Sequence, residues 1–353
     1  MKKIIILTPD LEKIGGVSIF VNALKGKWGL EEYYFIRGGK EGTILSKILF
    51  TLIDLLNFSL LSLNNKKSIF FINTSLNKNA FKRDRLFLMT LKAIGIKPNI
   101  FIHGFDIEFF KSINKNKLGI LENADNIFVL SKQGKELLLD SIQNSNIYIE
   151  TTVADSDFSN FKFSKKQFQE NQISVLFLSR LEKAKGIWQT IDAFSKIIKE
   201  TNNLKLEIVG YGTEELAIKE KLEAIKSNNI AYSGKKVGKD KIESFDRNHI
   251  YILPSDTEGL PITIVEAMFA GMPIICTKVG AIPDFFINNE MGILLENNSA
   301  EEIKKSILTL VSDRNKLENI SNFNKDYANN NFHPEIVVNR IKNRILYGTS
   351  TNN

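Results

Sequence analysis

The sequence predicts an α/β protein with two Rossmann-like, doubly wound parallel-sheet domains, on three observations. The chain has 353 residues, more than one ordinary domain needs and enough for two. Short apolar, β-branched or aromatic runs alternate with helical patterns throughout, which is typical of βαβ units. A polar segment at 155–172 has no sustained apolar period and separates two sets of candidate strands.

Each set contains six candidate strands. The first set comprises 3–7, 33–36, 69–72, 100–102, 127–130 and 147–149, and the second 173–178, 205–209, 230–232, 250–253, 274–277 and 293–295. We therefore predict an N-terminal domain at 1–160, a linker at 161–172 and a C-terminal domain at 173–330. A terminal helix at 331–346 could pack back on the N-terminal domain. Ligands of such sheets bind beyond the carboxyl ends of the strands, so we expect a binding cleft between the two domains.

Composition is that of a globular protein, with 43% hydrophobic and 25% charged residues. The single cysteine, Cys276, lies in an apolar run and predicts a buried thiol, with no disulfide framework. The apolar run Ile4–Leu7 is too short for a signal-peptide core. The longest apolar stretch, 43–63, carries Lys47 and Asp54 and predicts a buried amphipathic helix with a narrow solvated polar stripe, not a membrane span.

Charge is unevenly placed along the chain. Residues 1–150 hold 21 Lys and Arg against 14 Asp and Glu, whereas the remainder holds 26 against 26. This excess predicts an anionic partner for the first half. Nucleic acid is disfavoured as that partner, because the basic residues are scattered and no nucleic-acid-reading motif accompanies them.

The stretch 255–277, SDTEGLPITIVEAMFAGMPIICT, predicts an anion site at a helix start. Pro261 opens the helix and Gly271 ends it, so the amides near Gly259 and Leu260 are free to meet an anion. Two glutamates, Glu258 and Glu266, lie on either side of this corner with seven residues between them. Carboxylates suit neutral polyol hydroxyls rather than the anion, which fits a ligand with a central phosphate and a sugar on each side. A solvent-facing Glu266 is the plainer alternative, although its neighbours are apolar.

This stretch resembles the retaining GT-B glycosyltransferases of the group 1 family. The resemblance is carried by Glu258-x7-Glu266 after the Pro254-Ser255 corner, then Gly-Met-Pro-Ile-Ile and Val-Gly-Ala-Ile-Pro-Asp, and it spans most of the chain. It implies that Glu266 binds the ribose of a nucleotide sugar and that Glu258 binds the transferred sugar. It also implies donor contacts from Ser255 and from the amides around Gly259 and Leu260.

The segment FLSRLEKAKG places Arg180 and Lys185 on one loop after a strand, where two cations can stabilise a diphosphate leaving group. Exposed basic loop residues are common, but the family pattern Arg-Leu-x3-Lys-Gly is matched in full. Ser179 stands where the family usually has glycine.

By resemblance, several further positions lie near the donor or the transferred sugar. Gly15 and Gly16, before the first helix, match the family's glycine-rich loop. His103 lies at a strand end near the transferred sugar, with Asp106 as a weaker neighbour. The resemblance also implies that Gly210 lines the nucleotide pocket and that Val237 contacts the base.

Asp155-Ser156-Asp157 could instead suggest the metal-dependent GT-A class, but its place in the predicted linker favours a solvated segment. Since no other metal-ligand spacing occurs in the sequence, we expect no metal and no cofactor beyond the donor.

The segment 81–97 predicts a basic amphipathic helix in which Lys82, Arg83 and Arg85 flank apolar residues. It suits either an anionic membrane surface or an ordinary solvated face. The resemblance implies a retaining enzyme that transfers a hexose or N-acetylhexosamine from a nucleotide sugar, with UDP the commonest nucleotide of the family. With the basic helix and the charge excess added, we expect the acceptor to be a lipid-linked saccharide in bacterial surface-polysaccharide assembly, such as O-antigen, capsule or lipopolysaccharide. We expect the enzyme to be peripheral on the cytoplasmic membrane's inner face. The alternatives are a nucleotide-sugar 2-epimerase of the same fold and a non-catalytic sugar-nucleotide-binding subunit.

Overall fold

The computed structural model describes residues 2–13, 15–38, 43–144 and 146–348. The chain divides into two compact units, the first formed by Met1–Asp155 with Pro334–Asn353 and the second by Ser156–His333. Each unit contains one six-stranded parallel sheet with helices packed on it. The predicted fold class is confirmed.

The first sheet has the order β2-β1-β3-β4-β5-β6. Its strands are β1 Lys3–Thr8, β2 Glu31–Ile36, β3 Ile69–Leu76, β4 Asn99–Phe105, β5 Asn126–Val129 and β6 Ile147–Ile149. The helices of the first unit are α1 Gly16–Leu24, α2 Ile44–Asn64, α3 Lys78–Ile94, α4 Ile107–Ser112, α5 Lys115–Leu118, α6 Lys132–Leu139 and α15 Pro334–Tyr347, with a 3-10 turn at Gly119–Asn123.

The second sheet has the order β12-β11-β10-β7-β8-β9. Its strands are β7 Ile173–Leu178, β8 Leu204–Val209, β9 Ile230–Tyr232, β10 Ile250–Leu253, β11 Ile274–Thr277 and β12 Gly292–Leu295. The helices of this unit are α7 Ser156–Ser159, α8 Ile187–Ile197, α9 Glu215–Ile225, α10 Gly238–Arg247, α11 Ile262–Phe269, α12 Ile282–Phe285, α13 Ala300–Val311 and α14 Arg314–Asn331, with a 3-10 turn at Lys183–Lys185.

The strands form where sequence patterning predicts them because parallel strands buried on both faces read as continuous apolar runs. Strand β1 is buried from Ile4 onward, and β10 and β11 are buried along their full length. Cys276 lies within β11, where burial raises the pKa of its thiol well above the ordinary value. It is therefore a structural residue of the core, as the sequence predicts.

The second unit begins earlier than the predicted C-terminal domain, at Ser156, and ends within three residues of the predicted boundary, at His333. The segment 161–172, predicted as a linker, belongs to this unit, because Phe163 and Phe168 are buried and Lys166 donates from Nζ to the carbonyl oxygens of Phe245 and Asp246, each at 2.6 Å. Its spaced phenylalanines pack without helical or strand periodicity, so no pattern identified them.

The terminal helix α15 belongs to the first unit and packs against α1. Its buried residues Val337, Val338 and Ile341 join the apolar cluster that contains Phe20 and Leu24 of α1. The chain therefore returns to the first unit after completing the second.

Helix α2 is oriented differently from the prediction. Half-buried Asp54 accepts a hydrogen bond from the backbone N–H of Gly38 at 2.8 Å, and Ser62 is fully buried. The opposite face exposes seven large apolar side chains, which we call the α2 stripe: Ile48, Leu49, Leu52, Ile53, Leu56, Leu60 and Leu63. The prediction that the apolar residues of this helix are buried is therefore wrong for the α2 stripe; the side chain of Lys47, part of the predicted polar stripe, lies outside the described residues. Apolar residues occur around the whole helix, so patterning could not decide which side faces outward.

Candidate functional site

Arg180, Lys185, Ser255 and Glu258 lie on loops that follow strands β7 and β10, and the loop after the neighbouring strand β11 contacts the loop after β10. These strands are neighbours in the sheet, so their following loops emerge side by side at one edge. The loops are also fastened to one another by backbone contacts that require glycine at two positions.

Gly186 fastens the loop after β7 to the loop after β10. Its φ is +74°, and a Cβ placed there would lie 2.2 Å from the carbonyl oxygen of Pro254. Asp256 N–H donates to the carbonyl oxygen of Ala184 at 2.8 Å across the same contact. Only glycine allows this approach, because it tolerates both the left-handed backbone and the missing space. The contact carries Lys185, which precedes Gly186, toward the second loop.

Gly280 fastens the loop after β11 in the same way. Its φ is +60°, and a Cβ there would lie 2.3 Å from the carbonyl oxygens of both Glu258 and Gly259. Ala281 N–H donates to the carbonyl oxygen of Gly259 at 2.8 Å. The backbone around Glu258 is thus held from two sides.

These contacts bring Lys185, Glu258 and Ser255 together. Lys185 Nζ lies 2.7 Å from Glu258 Oε1, and Ser255 Oγ donates to the same oxygen at 2.8 Å. The Lys185 and Glu258 side chains are 12% and 11% exposed, so water screens this ion pair far less than a surface pair. Both contacts use Oε1, so the carboxylate of Glu258 is oriented through one of its two oxygens.

Glu266 is buried on α11, with 1% of its side chain exposed. Lys241 of α10 donates to its Oε1 at 2.5 Å, and Oε2 is buried without a hydrogen-bond partner among the described residues. A solvent-facing Glu266 is therefore excluded. Sequence reasoning missed Lys241; the only available signal was its place in the first turn of a helix that follows the glycine-containing segment 234–238.

Arg180 is placed on the same loop as Lys185 but points to a different partner. Its side chain is 62% exposed, and Nη1 donates to Glu182 Oε1 at 2.6 Å. Such an exposed pair is weak and leaves the guanidinium able to change partners. Ser179 has no left-handed backbone conformation, so serine is accommodated where the family has glycine.

Gly210 has a packing role that the sequence did not show. Its φ is +150°, and a Cβ there would lie 2.0 Å from the carbonyl oxygen of Ser179. Gly210 therefore lets the loop after β8 press on the loop that carries Arg180. Val237 is 52% exposed and is the N-cap residue of α10, the helix that bears Lys241.

In the connection that leads into α11, Leu260 is almost buried and Gly259 is exposed. Pro261 is the N-cap residue of α11 and provides no side-chain cap. The first-turn amides of α11 therefore lack the side-chain acceptor that usually satisfies them, as the anion-site prediction requires.

In the first unit, His103 lies near the end of β4 as a neutral imidazole. Its ring stacks on Phe101 at 4.3 Å and meets Phe20 edge-on at 4.7 Å. Burial, and then the nearby Arg37 cation, hold the pKa of His103 well below its ordinary value. Asn73 donates from Nδ2 to the Leu7 carbonyl oxygen at 3.1 Å, so its Oδ1 accepts from His103 Nε2 at 2.9 Å. Nδ1 of the neutral ring is then a hydrogen-bond acceptor.

Gly15 and Gly16 lie at the start of α1. Gly15 is the N-cap residue with an extended backbone and no side-chain cap, and among the described residues a Cβ there would meet only Ser18 Oγ, at 3.9 Å. The helix start is thus open to a ligand atom. Asp106 instead caps α4, accepting from Phe109 N–H at 2.9 Å, which accounts for its carboxylate structurally.

The three cations predicted on α3 differ in availability. Lys82 is exposed, whereas Arg83 Nε lies 2.7 Å from the buried carboxylate of Asp84 and Arg85 is half-buried. Asp84 also pairs with buried Arg37 at 2.8 Å. Arg83 is therefore committed to an internal charge cluster, which its sequence position gave no sign of.

Asp155 and Asp157 lie where the chain passes from the first unit to the second, with Asp157 in the first turn of α7. Across residues 2–13, 15–38, 43–144 and 146–348, no group of three or more His, Cys, Asp or Glu side chains could hold a metal ion. Metal independence remains a prediction.

Comparison with known proteins gives this site a family context. Residues 158–327 match the sequence model described as glycosyl transferases group 1. That range contains the Lys185–Glu258 pair and Glu266, and it corresponds closely to the second unit.

Two curated relatives carry related names. An uncharacterized glycosyltransferase of Methanocaldococcus jannaschii is 30% identical over 249 residues, which cover 64% of this chain and 63% of the relative. The capsular polysaccharide biosynthesis glycosyltransferase CapM of Staphylococcus aureus is 24% identical over 220 residues, covering 62% of this chain and 57% of the relative. The chain thus spans about six tenths of the length of these relatives. The matched family model and both relatives' names refer to glycosyltransferases.

Among solved structures, HepE of Anabaena in complex with UDP and glucose aligns with a TM-score of 0.73 at 15% identity, covering 98% of this chain and all of HepE. A likeness at this identity concerns the fold, and it confirms the GT-B class.

Proposed function

We propose that the protein is a retaining glycosyltransferase that moves a hexose or N-acetylhexosamine from a nucleotide-diphospho-sugar to a saccharide acceptor. UDP is the proposed nucleotide, which the UDP complex of HepE supports. The proposal concerns the whole chain, whereas the family match concerns residues 158–327.

The observation that carries this proposal is the buried carboxylate of Glu266. Lys241 satisfies Oε1 and leaves Oε2 unpartnered among the described residues, although an unsatisfied buried oxygen costs about 1–3 kcal/mol. A stable fold retains such a group where a ligand completes it. Two adjacent hydroxyls of a ribose are donors of suitable size and neutral charge, and Glu266 accepts from them in this proposal.

Lys185 and Arg180 supply positive charge for the diphosphate. Lys185 has three N–H donors, and its contact with Glu258 uses one of them. Because negative charge grows on the diphosphate as the glycosidic bond breaks, both cations stabilise the transition state more than the bound donor. Glu258, held by Lys185 and Ser255, is assigned to hydroxyls of the transferred sugar.

We assign retention to a front-face substitution, in which the departing phosphate takes the proton of the acceptor hydroxyl. A covalent route requires a carboxylate that attacks the sugar, and Glu258 is tied to a cation by its Oε1. His103, as a neutral acceptor at Nδ1, is assigned to a hydroxyl of the transferred sugar, and the open α1 start at Gly15–Gly16 to the diphosphate or acceptor.

The proposed acceptor is lipid-linked, and the proposed pathway is bacterial surface-polysaccharide synthesis at the inner face of the cytoplasmic membrane. The name of CapM and the basic excess of the first unit support this. By sequence, that unit carries 24 Lys and Arg against 16 Asp and Glu, and the second carries 23 against 24. No helix of the described chain is long and apolar enough to cross a membrane.

We also propose that catalysis needs no metal. Activity should persist in excess EDTA. Loss of activity that Mn²⁺ restores would contradict this and would direct attention to Asp155 and Asp157.

Donor turnover tests the proposed function without knowledge of the acceptor. The protein is incubated with a panel of UDP-, GDP-, ADP- and dTDP-sugars, and release of the nucleoside diphosphate is measured. We expect slow hydrolysis of one UDP-sugar, a higher melting temperature with UDP, and an α-configured product from an α-linked donor. Conversion of UDP-N-acetylglucosamine to its 2-epimer would establish the epimerase instead. Binding without turnover, even with oligosaccharide acceptors, would establish a non-catalytic subunit.

A further inference from the structure

The α2 stripe is an exposed apolar surface on the first unit. Its members recur every three or four residues along the helix, and Leu56 and Leu60 are 66% and 61% exposed. The helix has 21 residues and is therefore about 32 Å long. Contiguous apolar surfaces of this extent mark sites of association.

Helix α3 extends the same surface. Phe58 of α2 packs against Phe87 of α3 with ring centroids 5.2 Å apart, so the two helices lie side by side. The outer face of α3 exposes Leu86 and Met89, at 38% and 43%. The apolar surface is thus wider than one helix.

Positive charge frames this surface. Residues 55–105 contain eight Lys and Arg and one acidic residue, Asp84, which is buried and paired. Six of the cations are exposed lysines on α3 or next to the ends of α2 and α3: Lys66, Lys67, Lys78, Lys82, Lys92 and Lys97. Asp54 of α2 faces inward to Gly38.

We infer that the α2 stripe and the surrounding lysines form a docking surface for an anionic bilayer, with α2 lying in the plane of the interface. Apolar side chains enter the boundary between headgroups and acyl chains, while the lysines meet lipid phosphates. This inference rests on the proposed function. It adds to that proposal the surface by which the enzyme reaches a lipid-linked acceptor in the membrane. The sequence predicts the membrane contact on α3, with Arg83 among its cations. Because Arg83 is paired with Asp84, we instead assign the main membrane contact to α2.

A second copy of the chain is the competing occupant of the stripe. A two-fold contact through the same surface would place the lysines of one copy beside those of the other. Like charges disfavour that contact, whereas the anionic leaflet complements them. The charge arrangement therefore favours lipid.

Vesicle flotation tests this surface. Wild type and three variants are mixed with vesicles of phosphatidylcholine alone or with roughly 30 mol% phosphatidylglycerol. The stripe variant is Leu52→Gln/Leu56→Gln/Leu60→Gln, and the lysine variant is Lys66→Ser/Lys67→Ser/Lys82→Ser. The control variant, Leu216→Gln/Lys199→Ser, changes an exposed leucine and an exposed lysine of the second unit. Glutamine keeps helix propensity, and all altered side chains are exposed.

We expect the wild type and the control to float with anionic vesicles, and the stripe variant to lose about tenfold or more of its binding. The lysine variant should lose binding most at low salt, where electrostatic attraction is strongest. Equal flotation of the wild type and the stripe variant would overturn the inference. The inference would also be overturned if the wild type formed a dimer and did not float, and if the stripe variant were monomeric.

Donor turnover, measured on the same preparations without vesicles, separates this inference from the proposed function. The stripe variant should retain wild-type donor hydrolysis and melting temperature. If the wild type turned over a donor but did not float, the membrane-docking inference alone would be refuted. Flotation without turnover of any donor would remove the proposed function alone.

Discussion

The carboxyl edges of the two sheets hold charge in different ways. At the second sheet, two carboxylates are paired with cations, Glu258 with Lys185 and Glu266 with Lys241. At the first sheet, the Arg37–Asp84 pair is fully enclosed, and His103 beside it is a neutral ring packed on Phe101.

The difference shows that one fold can prepare its two sheet edges for different groups. Loops locked by Gly186 and Gly280 fix Lys185 and Glu258, whereas Lys241 and Glu266 are carried by helices α10 and α11. These pairs hold opposite charges ready for a charged, hydroxyl-rich ligand. At the first edge, His103 offers an uncharged acceptor, which suits a hydroxyl, while the cations Arg37 and Arg83 are paired with buried Asp84. Substitutions at each edge test whether this contrast is real.

The largest effect is expected for Gly186→Ala, which inserts a Cβ 2.2 Å from the Pro254 carbonyl oxygen. The control Gly234→Ala is matched, because Gly234 also has φ +74° but no atom of the described residues lies within 4 Å of the position that a Cβ would take. Both substitutions cost about 1–2 kcal/mol for the left-handed backbone. Gly186→Ala must also push two loops apart, so we expect a clearly lower melting temperature and a donor-turnover loss of about a hundredfold or more. Equal melting temperatures for the two variants would show that the loops are not locked there.

Glu258→Gln should follow in size. It keeps the shape of the side chain but removes the charge that orients Lys185 in a partly buried place. We expect kcat to fall about a hundredfold with a smaller change in KM, because Lys185 loses the partner that positions it to stabilise the developing diphosphate charge. Glu182→Gln is the control, since it removes the exposed partner of Arg180. If both variants lost the same activity, the Lys185–Glu258 pair would have no special role.

How much of this edge the sequence predicts depends on the kind of feature. Lys185 and Glu258 are predictable because their spacing matches a family pattern, and all twelve strands are predictable from apolar runs. The role of Lys241 and the locking role of Gly186 are not predictable from the sequence, because each depends on a contact between segments far apart in the chain. Local patterning contains no information on such partners.

The α2 stripe shows a second limit. A helix that is apolar nearly all round can be buried on either side, and the few polar residues invite the conclusion that they face water. In the structure Asp54 instead accepts a hydrogen bond from the backbone N–H of Gly38. Arg83 shows the same limit, because the sequence predicts a surface cation and the structure pairs it with buried Asp84.

Glu266→Gln is expected to act mainly on donor binding. The change replaces a charged acceptor by an amide, and a lost charged hydrogen bond of about 1.5–3 kcal/mol corresponds to roughly a 10- to 100-fold rise in donor KM. kcat should change less, since hydroxyl contacts are present before and during the reaction. Glu301→Gln, which breaks an exposed pair with Lys196, controls for loss of any surface carboxylate. Donor kinetics at constant pH measure both. An unchanged KM in Glu266→Gln would contradict the ribose assignment.

The smallest effect concerns pH and the first sheet edge. Burial lowers the pKa of His103 in the folded protein, so the unfolded chain binds its proton more readily as pH falls below about 6.5. The stability contributed by the neutral ring is therefore present above that pH and is lost as pH falls toward the folded pKa. His249 of the second unit also has a lowered pKa from burial, so it contributes in the same direction. Replacing His103 by Asn should flatten the fall in melting temperature between pH 7 and 5, and His249→Asn separates the two contributions. A pH dependence untouched by His103→Asn would mean that His103 is not held neutral, and the contrast between the two sheet edges would then fail at this residue.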